Sequence, residues 1–142
     1  MKEQKFIFSE MVCFSLYSTS NAMIREYRPE LAKLGLTYPQ FLVMMSLWNE
    51  DRVNIKGLTA QTLFDASTLT ALLKKLSDKG YLECNKSSTD KRAKVIILTK
   101  AGINLQNKTS HIFTNMECRV ELNQDEQKHL INTCHKILAR LQ

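Results

Sequence analysis

Apolar residues in the first third of the chain recur at helical spacing and predict two helices. The first helix carries an apolar stripe of Val12, Leu16, Met23 and Tyr27. Ser9 precedes this stripe and could cap the helix, whereas Pro29 lacks a backbone N–H group and is expected to kink or end it. A second helix is predicted after the capping residue Thr37, with Pro39 in the first turn, where a missing N–H group costs nothing.

The middle of the chain changes from helical to extended periodicity. We expect a short extended piece at 53–55, a small helix at 58–63, a turn at 64–67 and a longer helix at 68–79. Gly80 follows this longer helix as its C-terminal cap. Two strand-like runs at 81–85 and 94–98 flank the charged stretch 86–92, which predicts a hairpin with a long tip. The order is that of a helix–turn–helix followed by a β-hairpin.

The last third of the chain returns to helical periodicity. Thr99 is expected to cap a long helix with the apolar stripe Leu105, Ile112, Met116 and Val120. Asn123 and Glu126 have the spacing of a capping box. They precede a final helix with the apolar positions Leu130, Ile131, Cys134, Ile137, Leu138 and Leu141. Because the outer helices carry more apolar stripe than one monomer needs, we expect them to form a dimerisation layer.

These elements predict a mainly α fold with a small β-hairpin wing, an α+β arrangement of the winged helix–turn–helix type. A chain of 142 residues is long enough for one domain with a buried core. We therefore expect a single domain over 1–142. Its dimerisation helices lie in 9–50 and 99–142, and its winged helix–turn–helix part spans 53–98.

Composition and chain ends favour a cytoplasmic protein. Hydrophobic residues make up 44% and charged residues 24% of the chain, which is ordinary for a globular protein. No apolar run approaches the length of about 18 residues that a membrane span requires. The N-terminal stretch carries acidic residues and lacks a small-residue cleavage site, so it does not resemble a signal peptide. We expect no membrane partner.

Positive charge is concentrated in one quarter of the chain. The sequence has a net charge of +6, and residues 66–100 contain eight cationic and three acidic side chains, an excess of five positive charges. Such a concentration suits a polyanion better than general solubility, with a merely solvated basic face as the alternative.

The order of the central elements indicates that the anionic partner is double-stranded DNA. The second helix of a helix–turn–helix enters the major groove, and here its first turn offers hydroxyls that could reach base edges or phosphates: Ser67, Thr68 and Thr70. Lys74 and Lys75 are expected to face the phosphate backbone. At the hairpin tip, Arg92 would lie in or near a minor groove, with Lys91 beside it and Asp90 orienting it.

Four cysteines lie far apart in the sequence, without the spacing of a metal site or a disulfide framework: Cys13, Cys84, Cys118 and Cys134. Cys13 follows Ser9 by one turn, so the helix dipole should favour its thiolate, the form that attacks a peroxide. Tyr17 lies on the same face of that helix. Cys118 falls off the apolar stripe and should be accessible, whereas Cys134 falls on the stripe of the last helix and should serve packing.

The chain resembles the MarR family, and more narrowly its organic-hydroperoxide-resistance regulators. The resemblance rests on the sequences LTYPQF at 36–41, STLTALLKKL at 67–76 and DKR at 90–92, and it is strongest over about 9–102. It implies a homodimeric winged-helix repressor of a near-palindromic operator. Two departures, Ala66-Ser67 in the turn and Cys84-Asn85 in the first wing strand, bear on the exact operator contacts.

The same resemblance implies a redox switch. The pattern of Cys13 with Tyr17, Tyr27 and Tyr38 is similar to the peroxide-sensing site of those regulators, where the phenols hydrogen-bond the sensing sulfur across the dimer interface. Cys118 takes the place of the resolving cysteine in their two-cysteine members. An organic hydroperoxide would oxidise Cys13, an intersubunit disulfide with Cys118 would form, and the operator would be released.

Other functions remain open at this point. Cys13 could serve a thiol peroxidase, although a peroxidase has no use for a basic helix and wing. A related regulator could instead respond to a phenolic ligand or to zinc, for which His111, His129, His135 and Cys134 are the only soft-metal candidates. His129 and His135 lie on different faces of a helix, so we expect no metal site and no cofactor. An external thiol or Cys84 could replace Cys118, and activation could replace repression.

Overall fold

The computed structural model describes residues 5–89 and 92–142, and it confirms a mainly helical fold with a small antiparallel sheet. After a 3₁₀ turn at Phe8–Glu10, the first half contains α1 (Val12–Lys33), α2 (Tyr38–Asn49), β1 (Val53–Asn54), α3 (Ile55–Thr62) and α4 (Ala66–Asp78). The second half contains β2 (Leu82–Lys86), β3 (Lys94–Leu98), α5 (Lys100–Gln106), α6 (Ser110–Val120) and α7 (Gln124–Leu141). The chain forms two compact units, one ending at Ser110 and one covering His111–Gln142.

Helix α1 differs from its prediction at both ends. Ser9 lies in the 3₁₀ turn, and the N-cap residue is Met11, for which the described residues provide no side-chain capping bond, so the prediction of a Ser9 cap was wrong. At the other end the helix continues through Pro29 to Lys33. Its last turn contains the fully buried Leu31. Tertiary burial there outweighs the one backbone hydrogen bond that proline removes.

Three predicted capping sites are confirmed. Thr37 accepts a bond from the Gln40 N–H at 3.4 Å, and the Gln40 side chain accepts one from the Thr37 N–H at 3.2 Å. Thr99 accepts from the Gly102 N–H at 3.1 Å. Asn123 and Glu126 form the expected reciprocal pair, both bonds measuring 2.9 Å. Each cap depends on residues three positions apart, which makes it visible in the sequence.

The hairpin is part of a three-stranded sheet. The strand order is β1-β3-β2, with both pairings antiparallel, Val53 opposite Ile96 and Leu82 opposite Leu98. The sequence predicted an extended piece near β1 but not its pairing with β3. Just before β1, Arg52 has a φ of +61°, and the Asp51 carboxylate accepts from the Leu98 N–H at 2.9 Å. A side chain thus bonds β3 on the N-terminal side of β1, where the strand pairing has not yet begun.

The predicted long helix after Thr99 is divided into α5 and α6. Residues 107–109 form i to i−3 backbone bonds of 3.0 to 3.3 Å instead of helical ones. The Thr109 hydroxyl donates to the Gln106 carbonyl at 2.8 Å, and Thr109 is buried. Local bonding by a threonine side chain competes with the helix here, which the apolar stripe alone did not reveal.

We call the part from Thr37 to Gln106 the winged-helix body. Its core consists of side chains from α2, α3, α4, α5 and the sheet, the most buried being Phe41, Val43, Met44, Leu47, Leu58, Leu69, Leu76 and Ile96. The outer helices differ, since Leu31 is the only buried residue described in α1 and none of the 18 described residues of α7 is buried. No described helix is long and apolar enough to cross a membrane.

Candidate nucleic-acid interface and thiol region

Helix α4 is held in the body by an apolar face and by both of its ends. Leu69, Leu73 and Leu76 are buried. At the C-terminal end, the Gly80 N–H donates to the Ser77 carbonyl and the Tyr81 N–H to the Leu76 carbonyl, at 2.9 and 3.1 Å. These two bonds form the Schellman motif, which Gly80 completes with a φ of +76°. The predicted role of Gly80 is confirmed.

The first turn of α4 is organised by Asp65, a residue to which the sequence analysis gave no role. Its carboxylate accepts from the Thr68 N–H at 2.8 Å, from the Ser67 hydroxyl at 2.6 Å and from the Thr68 hydroxyl at 2.8 Å. Hydrogen bonds from the Ser67 side chain, then from the Thr68 backbone and side chain, lower the pKa of Asp65 to about 2. An aspartate three residues before Thr68 was the available sequence signal.

The three hydroxyls predicted to face DNA lie together on this exposed turn. Thr70 donates its proton to the Ala66 carbonyl at 2.8 Å, while Ser67 and Thr68 donate to Asp65. All three residues are exposed. Ser67, Thr68 and Thr70 are therefore accessible, and each already uses its hydroxyl proton within the helix.

The lysines of α4 project from its exposed side. Lys74 pairs with Asp78 one turn later at 3.3 Å, with both side chains largely exposed. An exposed pair of this kind contributes little to stability and leaves the ammonium group free to exchange partners. Lys75 is exposed on the same helix. Both cations therefore remain available to an anionic partner.

The wing is described only in part. Asp90 and Lys91, two of its three predicted DNA contacts, lie outside the described residues, whereas Arg92 is described and exposed. The hairpin closes near its tip through a bond of 2.8 Å from the Ser87 N–H to the Ala93 carbonyl. Arg92 directly follows the two residues that are not described.

The C-terminal end of α4 lies against the start of α5. A Cβ atom added to Gly102 would lie 2.0 Å from the Tyr81 carbonyl oxygen, so only glycine fits at this crossing. The Thr99 hydroxyl donates to the Gly80 carbonyl at 2.6 Å, and the Trp48 indole donates to the Gly102 carbonyl at 2.9 Å. The exposed first turn of α4 is thus presented by a firmly supported helix.

A second connection joins α4 to the junction of α1 and α2. The Lys79 ammonium donates to the Gln40 side-chain oxygen at 2.8 Å and to the Gly35 carbonyl. Gln40 is buried and also completes the capping box of α2. The position of α4 is therefore linked to the position of the α1–α2 junction.

Cys13 lies in the first turn of α1 and is exposed. Its surroundings in sequence are apolar and uncovered, with Val12 at 65% and Phe14 at 42% exposure. The sulfur thus belongs to an accessible apolar segment, at a helix end whose N-cap Met11 makes no side-chain capping bond among the described residues. The N–H groups of a first turn carry partial positive charge, which stabilises an anion beside them.

The predicted tyrosine partners fall into two groups within one chain. Tyr17 lies one turn after Cys13 and is exposed, whereas the rings of Tyr27 and Tyr38 contact each other with centroids 5.1 Å apart. Tyr27 follows Cys13 by fourteen helical positions, roughly 21 Å along the helix axis. Burial raises the pKa of Tyr38, so its phenol stays a hydrogen-bond donor at neutral pH.

The other thiols have different environments, and all four cysteines of the described chain are free. Cys118 is exposed, as predicted, and Cys134 is half-buried. Cys84 lies on β2, where partial burial raises the pKa of its thiol and the nearby Lys94 charge offsets part of that rise. Among the described residues, no three histidine, cysteine or acidic side chains come together as a metal site would require.

A cavity of about 350 Å³ lies beside the tyrosine pair. Its walls come from α1 and from the start of α2: Ile24, Arg28, Ala32, Leu36, Thr37, Tyr38 and Pro39. An apolar wall with one guanidinium and one phenol suits a small aromatic acid.

Comparison with known proteins gives matches over most of the chain. Residues 25–109 match the family model described as transcriptional regulator SarA/Rot. The chain is 37% identical over 131 residues to the HTH-type transcriptional regulator SarZ of Staphylococcus haemolyticus, covering 92% of this chain and 89% of SarZ. It is also 37% identical to the organic hydroperoxide resistance transcriptional regulator of Bacillus subtilis, over 71% of this chain and 69% of that protein.

Solved structures with the same fold include AbfR of Staphylococcus epidermidis. Reduced AbfR bound to DNA superposes with a TM-score of 0.78 and 29% identity, covering 94% of this chain and 93% of AbfR. A disulfide-formed AbfR superposes with a TM-score of 0.69 and 27% identity, each chain being 91% covered. The resemblance to the MarR family and to its hydroperoxide-resistance regulators is confirmed.

Proposed function

Because this chain belongs to the SarA/Rot family of transcriptional regulators, with a winged helix–turn–helix of the MarR type, we propose that it is a redox-sensing repressor. In this proposal a homodimer binds a near-palindromic operator in double-stranded DNA while Cys13 is reduced. Oxidation of Cys13 by an organic hydroperoxide releases the operator. The relatives are regulators and not enzymes, which removes the peroxidase alternative.

DNA binding is supported by the exposed side of α4 and by the charge around it. The first turn offers Ser67, Thr68 and Thr70 to base edges, and Lys74 and Lys75 supply contacts to the phosphate backbone. On the wing, Arg92 would enter the minor groove beside Lys91 and Asp90. Reduced AbfR has been solved bound to DNA, and the present chain has the same fold.

The observation that carries the redox proposal is the placement of Cys13. It is an exposed thiol in the first turn of a long helix, within a segment of uncovered apolar side chains. An apolar approach favours an organic hydroperoxide over hydrogen peroxide, because the alkyl group gains from burial. The partial positive charge of the first turn favours the anion that attacks.

A second copy of the chain would complete this site. Tyr27, whose ring contacts that of Tyr38, is roughly 21 Å along α1 from Cys13 of its own chain, whereas Tyr17 is one turn away. A two-fold dimer can bring one protomer's Tyr27 and Tyr38 to the partner's sulfur. The exposed apolar side chains of α1 and of α7 give such a dimer the surface it needs to bury.

The organic hydroperoxide is the only oxidant that disulfide formation requires. The Cys13 thiolate attacks one peroxide oxygen, an S–O bond forms, the O–O bond breaks, and the alkoxide leaves and takes a proton from water. The Cys118 thiolate of the partner then attacks the Cys13 sulfur, the S–S bond forms, and hydroxide leaves. Cys118 suits this step better than Cys84, because burial raises the pKa of the Cys84 thiol.

Release of DNA follows from dimer geometry. A two-fold dimer must hold its two α4 helices about 34–36 Å apart, one turn of DNA, to occupy both half-sites. A disulfide between protomers would displace α1, which carries Cys13. The bonds from Lys79 to Gln40 and Gly35 connect the α1–α2 junction to α4. A rotation of one protomer's winged-helix body relative to that of its partner changes this distance, so the dimer can no longer occupy both half-sites.

The test uses the full chain treated with cumene hydroperoxide. We expect a covalent dimer on a non-reducing gel with the native chain and none with Cys13→Ser or Cys118→Ser. Operator binding, followed by fluorescence polarisation, should be lost on oxidation of the native chain. Cys13→Ser should bind as tightly as reduced protein and ignore the oxidant.

Cys84→Ser is the matched control and should behave like the native chain in both assays. If Cys13→Ser still releases DNA on oxidation, Cys13 is not the sensor. If Cys84→Ser alone abolishes the covalent dimer, Cys84 and not Cys118 resolves the sulfenic acid.

A second candidate function rests on the 350 Å³ cavity beside Tyr38. An aromatic carboxylate could pair with Arg28 there and shift the α1–α2 junction without any oxidation. Salicylate titrated into fully reduced protein on DNA tests this function. Displacement that Arg28→Ala abolishes would favour a ligand-responsive regulator, and unchanged binding up to millimolar concentrations would exclude salicylate as its effector.

A further inference from the structure

The first turn of α4 presents hydroxyls whose protons are already used. This inference rests on the proposed DNA binding and concerns how the helix selects bases. A hydroxyl has one proton to donate and two lone pairs that accept. Ser67 and Thr68 give their protons to the Asp65 carboxylate at 2.6 and 2.8 Å, and Thr70 gives its proton to the Ala66 carbonyl at 2.8 Å.

The Asp65 carboxylate holds this arrangement over the whole working range of pH. Its three hydrogen bonds lower its pKa to about 2, so it is ionised whenever the protein is folded at ordinary pH. Bonds from a hydroxyl to an ionised carboxylate are about twice as strong as those between neutral groups. The hydroxyl protons of Ser67 and Thr68 are therefore kept on the protein side.

The same carboxylate occupies the place where a helix N-terminus would bind a phosphate. Asp65 accepts the Thr68 N–H at 2.8 Å, and its negative charge repels a DNA phosphate. Phosphate oxygens only accept hydrogen bonds, so hydroxyls without a free proton have nothing to offer them. The three hydroxyls are therefore suited to base edges and not to the DNA backbone, whereas the sequence left both kinds of contact open to them.

We propose that the hydroxyl side chains in the first turn of α4 form an acceptor-only surface that selects exposed amino groups in the major groove, namely N6 of adenine and N4 of cytosine. The accepting atoms are the hydroxyl oxygens of Ser67, Thr68 and Thr70. Guanine presents only the acceptors N7 and O6, and thymine presents O4 and a methyl group, so both are disfavoured at the contacted positions. Asp65 is the positioning residue that sets this polarity.

Asp65→Asn reverses the polarity at one position and retains the cap. Asparagine is as good an N-cap as aspartate, so the Thr68 N–H keeps its acceptor. The amide nitrogen that replaces one carboxylate oxygen is a donor, so the Thr68 hydroxyl turns to accept from it and exposes its own proton. Thr68→Val is the companion variant, because it removes the hydroxyl and introduces no donor.

The experiment selects binding sites for reduced protein from a library of random duplexes. With the native chain, adenine or cytosine should be enriched at the positions that α4 contacts. Asp65→Asn should gain guanine or thymine at one of them by roughly three- to tenfold, the worth of one hydrogen bond. Thr68→Val should lose the preference without that gain, and Lys75→Ala should weaken all sites alike.

Base analogues in the selected duplex identify the atoms. Replacing the contacted adenine by purine, or cytosine by 2-pyrimidinone, removes only the amino group. The native chain should lose about three- to tenfold in affinity and Thr68→Val almost nothing. Thermal unfolding of each variant establishes that it is folded.

Two failures have distinct meanings. If reduced protein binds every duplex equally, the proposed operator recognition is wrong, and this inference falls with it. If binding is selective but the contacted bases are guanine or thymine, or if Asp65→Asn leaves the preferences unchanged, the acceptor-only surface is wrong while the proposed function stands.

Discussion

Helix α4 of the winged-helix body and helix α7 have equally clear apolar periodicity but differ in burial. In the body, Phe41, Leu69 and Ile96 have no exposed surface. On α7, Leu130 is 47% and Ile131 is 52% exposed, and none of the 18 described residues is buried. A periodic stripe thus predicts that a helix face will be covered, but not whether the same chain covers it.

The first turns of the body helices and of α1 also differ, in whether a side chain caps them. In the body, Thr37, Asp65 and Thr99 cap their helices, and Lys79 connects α4 to the α1–α2 junction. At the start of α1, the described residues provide no side-chain cap, and an exposed thiol occupies the first turn. The body is stabilised internally, whereas α1 and α7 leave apolar side chains exposed, and α1 also leaves the Cys13 thiol exposed. Four changes test this comparison.

Of the four changes, Gly102→Ala should destabilise the winged-helix body the most. The added methyl group would lie 2.0 Å from the Tyr81 carbonyl oxygen, and a backbone atom cannot move aside cheaply. We expect a loss of about 3 kcal/mol or more in the free energy of unfolding, measured by urea denaturation. Gly57→Ala in α3 is the control, because its new methyl group would meet Asn54 and Val53 at 3.4 and 3.6 Å; a loss there as large would contradict the argument.

Ile131→Asp should separate the protomers and leave the body folded. A charge on the apolar stripe of α7 cannot be buried without a large penalty, so the dimer should dissociate at micromolar concentration. Operator affinity should then fall by more than about tenfold, since one protomer holds only one half-site. Sedimentation velocity measures the first effect and fluorescence polarisation the second.

Asn132→Asp adds the same charge beside the stripe and should remain dimeric. If Ile131→Asp also remains dimeric, the exposed face of α7 is not the dimer surface.

Lys79→Met should loosen the connection between α4 and the α1–α2 junction. It removes the ammonium group that donates to Gln40 and Gly35 and keeps an aliphatic chain of similar length. Because Lys79 is exposed to solvent, we expect a loss of only about 1 kcal/mol in stability. Lys75→Met, one turn earlier, should change the free energy of unfolding by less than about 0.5 kcal/mol. Equal losses of stability for both variants would show that the bonds from Lys79 do not stabilise the fold.

The smallest expected effect is the acid dependence due to Asp65. Its pKa falls from the ordinary value of 3.8 to about 2 on folding. Its stabilisation is therefore complete above about pH 4 and is lost as the pH falls toward 2. Urea denaturation at a series of pH values should give a shallower slope for Asp65→Asn than for the native chain over that range.

Asp78→Asn, which removes an exposed carboxylate that pairs with Lys74, should follow the native chain. A slope for Asp65→Asn identical to that of the native chain would show that the three hydrogen bonds do not persist in solution.

Features that depend on near neighbours in the chain were predictable. The caps at Thr37, Thr99 and Asn123 and the turn at Gly80 each involve bonds across three to five residues, so composition and spacing suffice to identify them. The boundaries of β3 were also predicted as observed. By contrast, the continuation of α1 past Pro29 depends on the burial of Leu31. The break at 107–109 involves a local bond from the Thr109 hydroxyl, which the apolar stripe did not reveal.

Within the candidate site, the sequence identified the hydroxyls of α4 and the exposed Cys118 but missed the way Asp65 orients those hydroxyls. It grouped Cys13 with Tyr27 and Tyr38 across a dimer interface, which stays a prediction, since α1 places Tyr27 roughly 21 Å from Cys13 of its own chain. Periodicity and local bonding determined the elements and the fold class. The concentration of positive charge is a property of the amino-acid composition of 66–100. The polarity of the exposed turn is also local, since its bonds span two to four residues. The third strand and the close crossing at Gly102 were decided by tertiary structure, because each arises from atoms whose separation in space is not set by their separation along the chain.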